Sequence, residues 1–136
     1  MFEKLTKKAM DLLLTGDDYV LKNLRKQYEN AIISTIENTN VGLLVSFEIP
    51  KSIEKINFKT IKRDFVFGDV FGTVDKVFGA VGFIIFIKDG YLKTLEIYSI
   101  GSDIWEQVTD DLDIRYNTEP RDLEVLAMSW HTALKR

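Results

Sequence analysis

The chain contains no cysteine. A disulfide framework, a thiolate zinc site and a cysteine nucleophile are therefore excluded together. The lack also suits a reducing compartment. Histidine is nearly as scarce: His131 stands alone, and one histidine without cysteine cannot build the usual zinc sites. A Ser-His-Asp triad would have to use it, yet no serine sits in a Gly-x-Ser-x-Gly elbow. His131 follows Trp130 and so leaves the apolar face of the last predicted helix, which makes a solvated ring the expectation. No apolar run approaches the roughly 18–20 residues that cross a bilayer. The opening Met1-Phe2-Glu3-Lys4-Leu5-Thr6-Lys7-Lys8 lacks the basic-then-apolar order of a signal peptide. A cytoplasmic protein without a membrane partner is expected.

Motifs for bound groups are also missing. Gly68, Gly72, Gly79 and Gly82 match neither G-x-G-x-x-G nor G-x-x-x-x-G-K-[ST], so no nucleotide cofactor is expected. Asp110, Asp111 and Asp113 resemble the start of a calcium loop. The glycine at its sixth position and the glutamate at its twelfth are absent, and no metal site is assigned. Glu96 is the most interesting acid, because it interrupts the apolar run Leu95-Glu96-Ile97. Glycosidase-like chemistry needs a second carboxylate across a cleft, and none is nominated. A glutamate on the wetter face of a hairpin, or one bonded to a backbone or arginine partner, is the plainer reading. No catalytic residue is assigned, and the expectation is that the chain is not an enzyme.

What is present is an ordinary globular composition. The 136 residues are 46% hydrophobic and 29% charged, enough for one domain spanning residues 1–136 with its own core. The net charge of -3 is uneven. Residues 1–63 carry 11 Lys/Arg against 8 Asp/Glu, or +3, and residues 64–136 carry 7 against 13, or -6. The basic half is too dilute for a nucleic-acid surface, even with Tyr19 and Tyr28 nearby. The acidic half would repel nucleic acid and steer a cationic partner.

Periodicity supplies the elements. Phe2, Leu5, Ala9, Leu12 and Leu13 predict a helix over 3–14, ended by Gly16 in a left-handed cap. Asp17 or Asp18 caps a second helix whose buried face is Val20, Leu24, Tyr28 and Ala31. Strands follow over Ile32–Glu37 and Val41–Ile49, joined by Asn38-Thr39-Asn40 and stopped by Pro50. The basic segment Lys51–Arg63 is a surface connection with room for a short strand near Ile56–Ile61. Residues 65–74 predict a strand bent at glycine. Phe83–Lys88, Asp89-Gly90 and Tyr91–Tyr98 predict a β-hairpin, because Asp-Gly supplies the positive φ angles of a tight turn. Two- and three-residue loops both fit, so the register stays open. The first arm is apolar on both faces and is expected to be central and covered on both sides. Ile104, Trp105, Val108 and Leu112 mark a short helix, and Ile114–Tyr116 an edge strand. A final helix is capped by Thr118, with Pro120 in its first turn and Leu123, Leu126, Ala127, Trp130 and Leu134 on one face. Lys135-Arg136 complement its C-terminal dipole. The expected class is α+β: an antiparallel sheet of about five strands with two N-terminal helices and a C-terminal helix.

Two stretches resemble a widespread set of small uncharacterised bacterial proteins. The first is Leu12-Leu13-Leu14-Thr15-Gly16-Asp17-Asp18, with Leu21, Leu24-Arg25-Lys26-Gln27 and Val41-Gly42 through Ile49-Pro50. The second runs from Gly79-Ala80-Val81-Gly82 through Asp89-Gly90-Tyr91-Leu92 to Leu95-Glu96. The likeness covers about residues 12–105. It departs after Glu96, where that set continues with Gly-Tyr and a Gly-Asp-Glu-Trp-Pro-like stretch, and residues 106–136 read as an added tail. The resemblance implies an immunity protein that neutralises a bacterial toxin, as in contact-dependent growth inhibition, and it assigns no site residues. The residues themselves nominate Asp103, Trp105, Glu106, Asp110, Asp111 and Asp113 as an acidic, aromatic patch for a basic toxin such as a nuclease. Asp110 and Asp111 are expected in a solvated turn. The alternatives are a general interaction or assembly module, including a homodimer through a sheet edge, and then a small hydrolase-like enzyme.

Overall fold

In a computed structural model, residues 2–74, 79–101 and 103–132 are described. They form helices α1 (Glu3–Leu13), α2 (Tyr19–Glu29) and α3 (Leu123–Ala127) and strands β1 (Ile32–Asn38), β2 (Gly42–Glu48), β3 (Phe65–Thr73), β4 (Ala80–Lys88), β5 (Tyr91–Ile100) and β6 (Ile114–Tyr116). The strands make one antiparallel sheet in the order β1-β2-β5-β4-β3-β6. The α+β class is as expected, with one strand more than the expected five.

The hairpin lies at the middle of this sheet. Lys88 pairs with Tyr91 across a two-residue loop, and Asp89 and Gly90 both take positive φ, 52° and 79°. That settles the register in favour of the short loop. A register shift between Phe86 and Ile87 absorbs Lys93. A second shift follows Phe67 in β3. There a Cβ on Gly68 would sit 2.1 Å from the Phe83 carbonyl oxygen, which is why the bend falls at glycine.

The helices bury one face of the sheet. Leu43, Val45, Phe47, Phe65, Phe67, Val70, Val81, Phe83, Ile85, Ile87, Leu92, Leu95 and Ile97 join Leu5, Ala9, Met10, Leu13, Leu21 and Leu24 in one core cluster. The alternate residues of the central strands are left half-buried or exposed, including Leu44, Val66, Ile84, Phe86 and Glu96. The two-sided covering expected for β4 is therefore not found: the strand is central, but only one of its apolar faces is buried.

The helix ends differ from expectation. α1 stops at Leu13 with Leu14 as its cap, and Gly16, at φ 142°, lies outside the left-handed helical region. Cations replace the glycine cap: Arg25 Nη1 donates to the Leu14 and Gly16 carbonyls at 2.6 and 3.0 Å, and Arg121 to those of Leu13 and Thr15. Asp18 caps α2 as predicted, accepting from Val20 N at 2.8 Å. Leu21 and Gln27 are buried in that helix, where Tyr28 and Ala31 were expected and are only half-buried. α3 is five residues long and capped by Asp122, not Thr118. Trp130 leaves the helix to pack at 5.9 and 5.3 Å from the Phe65 and Phe67 rings. Leu134, Lys135 and Arg136 lie outside the described residues.

The predicted helix over 104–112 is only a 3-10 turn at Trp105–Gln107. No strand forms near Ile56–Ile61; both isoleucines are buried, and Ile61 makes a single bridge to His131. β6 is as predicted.

Candidate interaction surfaces

The acidic segment is fastened to the start of α1. Ile104 and Val108 are buried. Trp105 is half-buried, its ring centroid 5.1 Å from that of Phe2. Asp110 Oδ1 accepts from Leu5 N at 2.8 Å and Oδ2 from Lys4 N at 3.3 Å. Phe2 provides no side-chain cap, so Asp110 fills that role from far along the chain, where a carboxylate also complements the helix dipole. Asp110 is therefore partly buried and engaged, not in the solvated turn expected. Lys8 Nζ donates to the Leu112 carbonyl at 2.6 Å. Asp103, Glu106, Asp111 and Asp113 remain exposed, with Asp111 in a loose, solvated pair with Lys4 at 3.7 Å. Asp111 and Asp113 line a 530 Å³ cleft with Gln107, Thr109 and Arg115. Arg115 in turn covers the Phe71 ring at 5.0 Å.

The uncovered sheet face begins at that arginine. Glu96 pairs laterally with Leu44 and Ile84, so a carboxylate stands among apolar neighbours. No donor bonds to it among the described residues. This is the wetter hairpin face, without the arginine or backbone partner that was the other reading. Tyr98 lies across Gly82, where a Cβ would come 2.4 Å from its ring. Toward the Asp89-Gly90 turn, Leu44, Val66, Phe86 and Thr94 floor an open trough flanked by Lys62, Lys88 and Lys93. The face thus runs between a lysine-flanked end and the acidic segment.

The stretches that carry the resemblance are joined by Gln27, which belongs to the first of them and is assigned no role there. Gln27 is fully buried. Its Nε2 donates to the Gly90 carbonyl at 3.0 Å and to Asn23 Oδ1 at 2.8 Å, and its Oε1 accepts from Leu92 N at 2.7 Å. The amide closes the backbone of the central turn onto α2. Its advance signals were its place in the motif Leu24-Arg25-Lys26-Gln27 and a polar residue one position before the predicted face residue Tyr28. Beside it, Arg63 donates to Asp89 through Nε at 3.0 Å, and that hydrogen bond and charge hold the Asp89 carboxyl below its ordinary range.

No family model, curated protein or solved structure matches the chain. His131 is exposed, its ring tilted 51° to that of Trp130 with the centroids 6.5 Å apart. Among the described residues, no three His, Cys, Asp or Glu side chains converge as metal ligands. No described helix is long and apolar enough to cross a membrane.

Proposed function

We propose that this chain is an immunity protein, which binds a bacterial toxin domain in the cytoplasm and neutralises it by protein–protein contact, without turnover. The observation that carries the reading is the anchored acidic segment. Asp110, Ile104, Val108 and the Leu112 carbonyl tie residues 104–112 to the body of the protein, while Asp103, Glu106, Asp111 and Asp113 face outward. Fixing those charges before binding reduces the ordering cost of association. A toxin that acts on nucleic acid carries a basic surface, since phosphate contacts dominate its binding. An acidic ridge matches that surface and speeds encounter. Trp105 and Phe2 add an aromatic pair at the same end of the molecule.

The test is growth. A toxin domain taken from the end of a large secreted protein encoded immediately upstream should arrest cells, and co-expression of this chain should restore them. If the arrested cells stay arrested although the chain accumulates, the reading is wrong. The uncovered face around Glu96 favours a second reading, a general interaction module, which would bind without protecting any toxin-bearing cell.

A further inference from the structure

We propose that β1 is the interface of a two-fold homodimer, in which the β1 strands of two copies pair antiparallel and join their sheets into one. β1 sits at the sheet edge, and among the described residues it is bonded only to β2. All seven of its residues are exposed, with Ile32, Ile33 and Ile36 at 62, 48 and 51%. Edge strands are ordinarily protected by lysine, proline or shortness. The opposite edge follows that rule: β6 has three residues and carries Arg115. β1 does not, because Glu37 is its only charge and its one irregularity is the register shift at Ser34.

The faces of β1 select a second copy as the occupant. Ile33 and Ile36 lie opposite Phe47 and Val45, on the helix side, whereas Ile32 and Glu37 lie opposite Glu48 and Leu44, on the uncovered side. Two such strands can pair antiparallel with Ile33 opposite Ile36 of the second copy. Every matched side chain outside the Ser34 irregularity then faces the same way. Four isoleucines meet on the helix side, where cross-strand β-branched pairs stabilise a sheet. Glu37 falls opposite Ile32 of the second copy, so the two Glu37 carboxylates stand four ladder steps apart along the strand, about 13 Å. A one-residue slip would set helix-side against solvent-side residues. Pairing β1 with β6 instead would leave free edges and an open chain of molecules, against the short, charged character of β6. The two-fold arrangement keeps both helical layers on one side and both uncovered faces on the other.

Sedimentation equilibrium of the intact protein should give twice the 15.7 kDa chain mass. Ile33→Lys and Ile36→Lys should each weaken dimerisation roughly 30-fold or more, as for residues central to an interface. Val125→Lys, at an exposed valine on α3, should leave the dimer intact. The register has its own check, since no native cysteine interferes. Ile33→Cys combined with Ile36→Cys should oxidise to a covalent dimer, because cross-strand Cα separations of about 5 Å suit a disulfide. Within one chain the two positions are two ladder steps apart, because the shift at Ser34 takes up one residue, about 7 Å and at the edge of disulfide reach, so the covalent dimer mass, and not loss of thiols, is the readout. A wild-type protein that stays monomeric at about 100 µM would overturn the proposal. So would a dimer indifferent to both lysines, or a failure of the cysteine pair to cross-link. Should the lysine variants not fold, the cross-link, made from smaller, uncharged side chains at exposed positions, decides alone.

Discussion

Gln27 is polar, fully buried and bonded on both ends of its amide. Removing it leaves the Leu92 N–H inside the core without its Gln27 partner, whereas the Gly90 carbonyl keeps its bond from Ile56 N at 2.9 Å; a stranded group of this kind costs about 1–3 kcal/mol. Gln27→Leu, which keeps the volume, should lower the urea-unfolding free energy by about 1–3 kcal/mol; a loss below about 0.5 kcal/mol would mean that water takes over the Leu92 bond. Asp89 tests a weaker kind of contact. Its carboxyl is held below the ordinary value by the hydrogen bond from Arg63 and then by its charge. A depressed carboxyl contributes stability above its unfolded pKa, and that contribution disappears as pH falls through the lower folded value. The pair is exposed, so the contribution is screened. Arg63→Gln should therefore raise the Asp89 titration midpoint, followed by carboxyl-carbon NMR, while the unfolding midpoint near pH 7 barely moves. An unchanged titration would show that the pair does not persist in solution.

At the scale of elements, the hairpin was legible because its signal is local: Asp-Gly dictates the turn, and alternating or continuous apolar residues dictate the arms. The glycine bend in β3, the Asp18 cap and the edge strand at Ile114–Tyr116 rest on equally local chemistry. What was not legible depends on distant partners. Asp110 is drawn to the α1 amides more than a hundred residues away, and the segment around it forms a 3-10 turn where periodicity predicts a helix. Trp130 is drawn into the Phe65–Phe67 stack, which cuts α3 short. The segment after residue 105, which reads as an added tail, in fact completes the core. Arg121 is buried to 8% side-chain exposure, pairs with Asp69 at 2.7 Å and lies 4.5 Å over the Tyr116 ring. Trp130→Ala should cost about 3–5 kcal/mol, as for large aromatic truncations in a core. Arg121→Ala should cost a similar amount, about 3–5 kcal/mol, by stranding Asp69. Removal of residues 117–136 that left the thermal midpoint unchanged would contradict this integral role.

For the whole molecule, the uncovered face has a direction that the halves of the sequence do not give: Lys62, Lys88 and Lys93 flank one end, and the acidic segment, with Asp111 and Asp113, holds the other. If that field guides a basic toxin domain, association should slow as salt rises, because the Debye length shrinks from about 10 Å at 0.1 M to about 3 Å at 1 M. Asp111→Lys with Asp113→Lys should slow association and leave the fold untouched, since both side chains are exposed. Asp110→Lys is a different experiment. It removes the cap of α1 and sets a cation at a helix N-terminus, so it should lower stability by about 0.5–2 kcal/mol, and a binding defect in that variant would not report on docking. Trp105→Ala separates anchoring from packing, because its ring is half-buried on Phe2. A weaker complex at an unchanged unfolding midpoint would make it an anchor, whereas a lowered midpoint would make it core. Glu96→Gln probes the uncovered face without changing shape. If that face also meets the partner's cations, the neutral amide should speed dissociation while stability stays within about 0.5 kcal/mol. Unchanged binding in both the Asp111/Asp113 and the Glu96 variants would remove those three carboxylates from the interface, leaving Asp103, Glu106 and the lysine-flanked trough as the surfaces to test.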